Sequence, residues 1–283
     1  SLGSPYSSPS SFAFNPWFLD ENDLFREGFL DNNLRNFYSE IEKLDHRVDS
    51  QSANSKVKFL SSALVDCWEK QNSTFKKEFD SWCEKQFWLE AHSIFMELKV
   101  QNNNLPWWEW PEKFAVYDKQ KLASWKKKNE KALLAHNLIQ WHLDRQWKLI
   151  RELAKNLGIY LFGDVPFYVS KDSADVWSNP SLFSILSNSD TYLQSGVPPD
   201  YFSETGQLWG NPVYRWKRHK ANKFRWWRKR ISRHLEQVDF LRLDHFRALE
   251  AFWAIPGKDQ TAENGFWLPS PGKQILGLIK KDC

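Results

Sequence analysis

The chain has 283 residues, which is enough for one complete barrel or two small domains with a sizeable core. Its 39 basic and 35 acidic residues leave a formal net charge of +4, so the composition does not indicate a nucleic-acid partner. The most basic run, 225–230, mixes tryptophan with arginine and lysine. We predict that it lies in an amphipathic helix whose polar face is solvated. No run of about 18 apolar residues occurs in the sequence, so we expect no membrane partner.

Several common chemistries lack their sequence signals. The cysteines are Cys67, Cys83 and Cys283, an odd number without a CxxC pair, which indicates a reducing compartment and no zinc site. Gly-rich phosphate loops, HExxH and GxSxG are missing from the sequence, and we expect no cofactor and no metal. By contrast, 16% of the residues are aromatic, and aromatic faces stack on the apolar faces of sugar rings.

The first predicted elements along the chain are helices. We predict a helix over about 53–70, with Ser73 or Thr74 as the cap of the next one. Apolar residues at spacings of mostly three and four over 75–98 predict one long helix with a buried stripe. That stripe comprises Phe75, Phe79, Trp82, Phe87, Ala91, Ile94 and Leu98. A further long helix is predicted over about 119–157.

A short apolar strand follows that long helix. Gly158 is placed to end the helix as its C′ residue. Ile159–Phe162 is a continuous apolar run, which is typical of a parallel strand covered on both faces. The run ends in Gly163-Asp164-Val165-Pro166, which supplies the carboxylate Asp164.

A second helix and strand repeat this order and carry the most informative residues. A helix predicted over roughly 222–236 precedes a strand over 239–243, which ends at Asp244. Arg242 lies inside the apolar run and is expected to pair with a carboxylate, because arginine is rarely buried alone. Asp244 lies two residues on and shares its strand face, whereas His245 points to the opposite face. The β/α alternation predicts a barrel or doubly wound sheet with both carboxylates at one edge.

Several ordered blocks identify a family resemblance. The blocks are GDVPFYV at 163–169, DSADVW at 172–177, GVPPDYFSETGQLWGNP at 196–212 and LRLDHFR at 241–247, with milder likenesses at 4–6, 11–13 and 106–111. With them the chain resembles the 4-α-glucanotransferases of glycoside hydrolase family 77, the amylomaltases of bacteria and the disproportionating enzymes of plastids. One departure is Ala248, where the family usually has glycine.

The resemblance implies roles for four residues at the cleavage point. Asp244 matches the catalytic nucleophile, and Arg242 matches the arginine beside it. Asp164 matches the carboxylate that contacts the sugar at the scissile bond. Tyr6 matches a tyrosine that stacks on the same glucose.

The resemblance also implies a substrate-binding loop. Gln207 and Trp209 match residues that border the donor and acceptor subsites. Tyr201 and Phe202 match an aromatic tip that touches the glucan. Since Trp209 lies among Gly206, Gly210 and Pro212, we expect it on a loop outside the core.

The fold that the resemblance implies is α/β, an incomplete (β/α)8 TIM-type barrel with a helical insertion. We divide it into 1–34 as the start of the barrel region, 35–157 as mainly helical insertion and barrel helices, and 158–283 as a barrel portion with two strands of the catalytic edge. The family's acid/base glutamate and third carboxylate would lie beyond Cys283. We therefore interpret the chain as an internal fragment that is inactive alone.

The implied activity is transfer of α-1,4-glucan segments between maltodextrins by a retaining double displacement. The partners would be α-1,4-glucans, including starch or glycogen chains, in the cytoplasm or alternatively the plastid stroma. Two alternatives stay open: an α-amylase-type hydrolase, and a noncatalytic glucan-binding fragment. The sequence does not set the oligomeric state.

Overall fold

A computed structural model of the chain describes residues 6–35 and 49–282. The chain divides into two compact units. The strand unit consists of Ser1–Phe12, Gln101–Tyr117 and Leu157–Cys283, and the helical unit consists of Ala13–Val100 and Asp118–Asn156. The cysteine at 283 and the Ser4-Pro5 part of one family likeness lie outside the described residues.

Within the described residues, helices dominate the first half of the chain and strands occur only in the second half. The α-helices are α1 (Glu21–Arg26), α2 (Ser50–Trp68), α3 (Ser73–Lys85), α4 (Leu89–Gln101), α5 (Glu112–Ala115), α6 (Lys119–Lys128), α7 (Glu130–Asn156), α8 (Ala174–Ser178), α9 (Trp216–Ala221), α10 (Arg225–Leu235) and α11 (Gly272–Asp282). The β-strands of the described residues are β1 (Phe162–Val165), β2 (Leu193–Val197), β3 (Gln207–Pro212), β4 (Phe240–Leu243), β5 (Ala251–Pro256) and β6 (Phe266–Pro269).

The helical unit is built around aromatic side chains from several helices. Trp141 on α7 is 2% exposed, and its ring centroid lies 5.7 Å from Phe29, 5.9 Å from Trp68 and 5.5 Å from Phe79. These are edge-to-face contacts, the arrangement that aromatic quadrupoles favour. The cluster therefore joins α2, α3 and the segment after α1 to the long helix α7.

The single helix predicted over 75–98 is wrong, because the chain turns between α3 and α4. Gln86 ends α3 in a non-helical conformation, and its side chain accepts a hydrogen bond from the Trp88 indole at 3.1 Å. The turn buries Trp88 and leaves Phe87 47% exposed, so the predicted stripe does not continue through Phe87. The predicted caps are also wrong, because Asn72 caps α3 by accepting from the Phe75 amide at 2.9 Å.

The other predicted helices of this unit are partly confirmed. Helix α2 occupies most of the predicted 53–70 but begins at Ser50. The helix predicted over 119–157 is divided into α6 and α7 at Asn129, whose side chain donates to the Trp125 carbonyl at 2.7 Å. Gly158 follows α7 with a φ of +71°, which confirms the predicted glycine stop.

The described residues of the strand unit form two sheets. Strands β1 and β4 pair in parallel, with Asp164 opposite Arg242. The other sheet is antiparallel, with the strand order β3-β2-β5-β6. The parallel pairing predicted for the two apolar strands is confirmed, and helix α10 leads through a short turn into β4 as expected.

The predicted burial of the first strand is wrong. The paired strand begins at Phe162, and Ile159, Tyr160 and Phe162 are 54%, 73% and 69% exposed. Within the described residues β1 has β4 as its one sheet neighbour, so apolar side chains of this pair face solvent. The Asp239 side chain accepts from the Leu161 amide at 2.8 Å and holds the start of the pair.

The predicted helix over 222–236 is shorter than expected, and its polar face is not fully solvated. Lys223 and Phe224 adopt left-handed conformations that separate α9 from α10. Arg230, in the basic run, is 1% exposed and donates to the carbonyls of Pro166 at 2.6 Å and Phe167 at 3.0 Å. A buried guanidinium thus fixes the chain segment that follows β1. In the described part of the chain, no helix is long and apolar enough to cross a membrane.

Candidate active site

Arg242 joins two carboxylates at the carboxyl ends of the parallel strands. Its Nη1 donates to Asp164 Oδ2 at 2.7 Å, and its Nη2 donates to Asp244 Oδ1 at 2.5 Å. Asp164 lies near the end of β1, and Asp244 follows β4, where its amide donates to the Val165 carbonyl at 2.9 Å. The predicted convergence of Asp164, Arg242 and Asp244 at one edge of the sheet is therefore confirmed.

This ion-paired group is open to solvent. The side chains of Arg242, Asp164 and Asp244 are 51%, 37% and 33% exposed. The charges of Asp164 and Asp244 raise the pKa of Arg242 above its ordinary value, so the guanidinium stays charged. Because its fork spans two strands, Arg242 sets the spacing of the two carboxylates.

Tyr6 reaches the same group from the start of the chain. Its hydroxyl donates to Asp164 Oδ2 at 3.3 Å. The segment that carries it is held by backbone contacts: the Ala174 amide donates to the Pro9 carbonyl at 2.8 Å. The Ser11 amide donates to Asp175 Oδ2 at 2.7 Å. Chain segments that are distant in sequence therefore meet at Asp164.

The buried Asp175 makes the stability of this unit depend on pH. Burial raises the pKa of Asp175 from 3.8 to about 6. A carboxyl whose folded pKa is raised binds more protons when folded, so its contribution falls as the pH rises from about 4 to about 6. Asp175→Asn cannot ionise at this position. We therefore expect the free energy of unfolding of the variant minus that of the parent chain to increase by about 3 kcal/mol between about pH 4 and about pH 6.

Denaturant unfolding of both proteins at several pH values measures this difference. A constant difference between pH 4 and pH 6 would contradict the assignment. Asp190→Asn, at an exposed carboxylate, is the control and should leave the pH profile unchanged.

Gln207 and Trp209 lie on β3 rather than on the predicted loop. The strand forms because Gly196 lets β3 come close: a Cβ on Gly196 would lie 2.2 Å from the Gln207 carbonyl oxygen. The Trp209 indole donates to Gln207 Oε1 at 3.2 Å, and the Trp209 side chain is 37% exposed. The expectation that Trp209 lies outside the core agrees with this exposure.

Tyr201 and Phe202 lie at the tip of the connection between β2 and β3. They are 97% and 91% exposed, and their rings meet edge to face at 5.6 Å. Asp200 supports the turn by accepting from the amides of Phe202 and Ser203 at 2.9 Å each. Two large aromatic rings are thus presented to solvent by a hydrogen-bonded turn.

Two residues of this site were not predicted from the sequence. His245 is half-buried, and its ring lies 4.8 Å from that of Trp209. Tyr168, which is 3% exposed, lies 6.3 Å from Trp209 and 6.4 Å from His245. Burial lowers the pKa of His245 below its ordinary value and raises the pKa of Tyr168, so both are neutral near pH 7. His245 contacts Trp209, whereas Asp244 pairs with Arg242.

Chemically, the site offers carboxylate oxygens, one guanidinium and aromatic faces. Within the described residues, no group of three or more histidine, cysteine, aspartate or glutamate side chains is placed to hold a metal ion. Arg242 and the two carboxylates lie at the carboxyl ends of parallel strands. This is where α/β enzymes with parallel strands place their catalytic residues.

Comparison with known proteins gives the family. The family model for 4-alpha-glucanotransferase, glycoside hydrolase family 77, matches residues 1–283. The chain is 38% identical to the 4-alpha-glucanotransferase of Synechocystis over 98% of its length, and 35% identical over 99% to the chloroplastic/amyloplastic one of Oryza sativa. An amylomaltase from Streptococcus agalactiae, solved in complex with acarbose, superposes with a TM-score of 0.91 at 33% identity and covers 99% of this chain.

The chain therefore belongs to the 4-alpha-glucanotransferase family. It spans about half the length of these relatives: 55% of the Synechocystis protein, 47% of the rice protein and 56% of the amylomaltase chain.

Proposed function

We propose that this chain supplies the nucleophile and part of the glucan-binding surface of a retaining 4-α-glucanotransferase. The observation that carries the proposal is the Arg242 guanidinium, which donates to Asp164 and Asp244 at the ends of adjacent parallel strands. Retaining transfer between sugars needs a carboxylate that attacks the anomeric carbon and a second carboxyl group that moves the proton.

In the first half of the reaction Asp244 attacks the anomeric carbon of an α-1,4-linked glucose. Its Oδ1 accepts from Arg242, and Oδ2 has no protein partner among the described residues, so Oδ2 is the attacking atom. The glycosidic bond breaks as the C–O bond to Asp244 forms. A general acid protonates the leaving 4-oxygen.

In the second half, the 4-hydroxyl of another glucan attacks the glucosyl ester. It gives its proton to the same acid/base group, and Asp244 leaves as a carboxylate. Two inversions retain the α configuration. Capture by a glucan rather than by water makes the reaction a transfer.

Asp164 and Tyr6 hold the sugar at the cleavage point. Oδ2 of Asp164 accepts from both Arg242 and Tyr6, which leaves Oδ1 for the sugar hydroxyls. Tyr6 is 41% exposed, so its ring presents a face on which the same glucose stacks. Gln207, Trp209 and the tip residues Tyr201 and Phe202 line the path of the glucan chain.

We propose for the whole fold an incomplete (β/α)8 TIM-type barrel in which β1 and β4 are barrel strands. Residues 35–157 would be mainly a helical insertion with barrel helices, between a barrel start at 1–34 and a barrel portion at 158–283. The exposed apolar side chains of β1 and β4 support this, because barrel strands have a neighbour on each side. The cytoplasm is the proposed location, with the plastid stroma as the alternative, since the rice relative is named as chloroplastic/amyloplastic.

Product analysis tests the activity. The full-length gene product incubated with maltotriose should yield glucose and maltodextrins longer than maltotriose. Products that are all shorter would identify a hydrolase instead. Glucan binding without any turnover would identify a noncatalytic binding protein.

A prediction for the glucan surface concerns Trp209. We expect Trp209→Ala to weaken glucan interaction by about 1–3 kcal/mol, because stacking on an aromatic face is lost. Calorimetric titration with a maltodextrin and transfer kinetics measure the loss. Trp267→Ala is the matched control, since Trp267 is similarly exposed at 41% but lies on β6. Equal losses in both variants would show that Trp209 has no particular role.

A further inference from the structure

The indole of Trp209 contacts the ring of His245, which lies two residues after the end of β4. The Trp209 and His245 rings lie 4.8 Å apart with an interplanar angle of 84°, an edge-to-face contact. A second ring neighbour of the indole, Tyr168, is farther away at 6.3 Å. Of these two rings, His245 therefore makes the closer contact to the proposed sugar-stacking ring.

His245 occupies its place through an unusual backbone conformation. Its φ is +51°, in the left-handed region that only a few per cent of non-glycine residues adopt, histidine more often than most. It follows Asp244 directly, and its carbonyl accepts from the Ala248 amide at 2.9 Å as the turn Phe246–Leu249 begins. The backbone thus turns sharply after Asp244 and carries the imidazole to Trp209.

The His245 ring has a buried nitrogen that no polar atom satisfies. Nε2 is shielded from solvent and has no nitrogen or oxygen partner among the described residues. A neutral imidazole carries one N–H, and an N–H can donate to the face of an aromatic ring. An imidazole edge that meets the indole face has the π system of the indole as the acceptor for that N–H.

We propose that His245 is a positioning residue that fixes the Trp209 indole relative to Asp244 by an edge-to-face contact with an N–H donated to the indole face. The inference rests on the proposed glucan transfer and adds to it a link between β3 and the end of β4. One residue thereby sets the distance between the stacking surface and the attacking carboxylate. Such placement governs rate, because a misplacement of about 1 Å can cost about 10²-fold.

A double-mutant cycle tests the link. The variants are His245→Asn, Trp209→Ala and their combination in the full-length gene product, with kcat/KM for maltotriose as the readout. Asparagine tolerates positive φ, so His245→Asn removes the ring and keeps the backbone turn. We expect His245→Asn to lower kcat/KM about 10-fold in the parent protein and less than about twofold in Trp209→Ala, since neighbouring groups that act together are not additive.

Further variants separate the possible outcomes. His245→Phe, which keeps an aromatic edge without the N–H, should recover part of the lost rate. The proposed link between His245 and Trp209 would be overturned if His245→Asn had the same effect in the parent and in Trp209→Ala, or no effect in the parent. The Trp209→Ala variant alone would still test whether Trp209 binds the glucan. If Trp209→Ala itself changes neither transfer nor maltodextrin affinity, the proposed function of Trp209 fails, and the link fails with it.

Discussion

Replacing Asp244 with asparagine is expected to lower transfer from maltotriose by about 10³-fold or more while glucan binding survives. Asparagine has nearly the shape of aspartate, but its neutral amide is a very poor nucleophile. Loss of the nucleophile removes covalent catalysis as a whole, and such losses reach about 10⁶-fold in other enzymes. The Arg242 guanidinium keeps Asp164 as its partner, so the surrounding geometry is preserved.

Two measurements on the full-length gene product check this prediction. Transfer kinetics should show the loss, and calorimetric titration with a maltodextrin should give an affinity within about threefold of the parent. Asp66→Asn makes the same chemical change at an exposed position of α2 and should leave both quantities unchanged. Retention of a tenth of the parent activity by Asp244→Asn would show that another group is the nucleophile.

The acidic site could be predicted from sequence because its determinants are local. A short apolar run followed by aspartate indicates a strand end, and it does so at both Asp164 and Asp244. The charged Arg242 within the second run indicated a carboxylate partner, and the structure supplies two. Parallel pairing then brings the two strand ends together, whatever the length of chain between them.

Other features depend on contacts that periodicity does not record. The turn at Gln86 occurs in a sequence with helical spacing, and it buries Trp88 instead of Phe87. The buried Arg230 resembles its solvated neighbours in composition, and the carbonyls that it binds lie more than 60 residues earlier. The contact between His245 and Trp209 requires the position of β3, which the sequence around His245 does not record.

Replacing Arg242 with lysine is expected to lower transfer about 10²-fold and to leave the free energy of unfolding within about 1 kcal/mol of the parent. Lysine keeps the charge but has a single ammonium, which cannot reproduce the two separate N–H donors that hold Asp164 at 2.7 Å and Asp244 at 2.5 Å. The two carboxylates would then lose their fixed spacing, and a misplaced nucleophile costs about that factor in rate.

The free energy of unfolding should change little because the ion pairs of Arg242 are exposed to solvent. The Arg242 side chain is 51% exposed, and exposed ion pairs contribute about 0–1 kcal/mol to stability. Kinetics with maltotriose and denaturant unfolding of the same protein separate the two effects. Arg225→Lys, at an exposed position of α10, should alter neither. Nearly full activity in Arg242→Lys would mean that its charge alone suffices, whereas equal losses of activity and stability would make Arg242 a structural ion-pair residue. The expected separation between a large kinetic effect and a small stability effect is what distinguishes a residue that spaces the two carboxylates from one that holds the strands together.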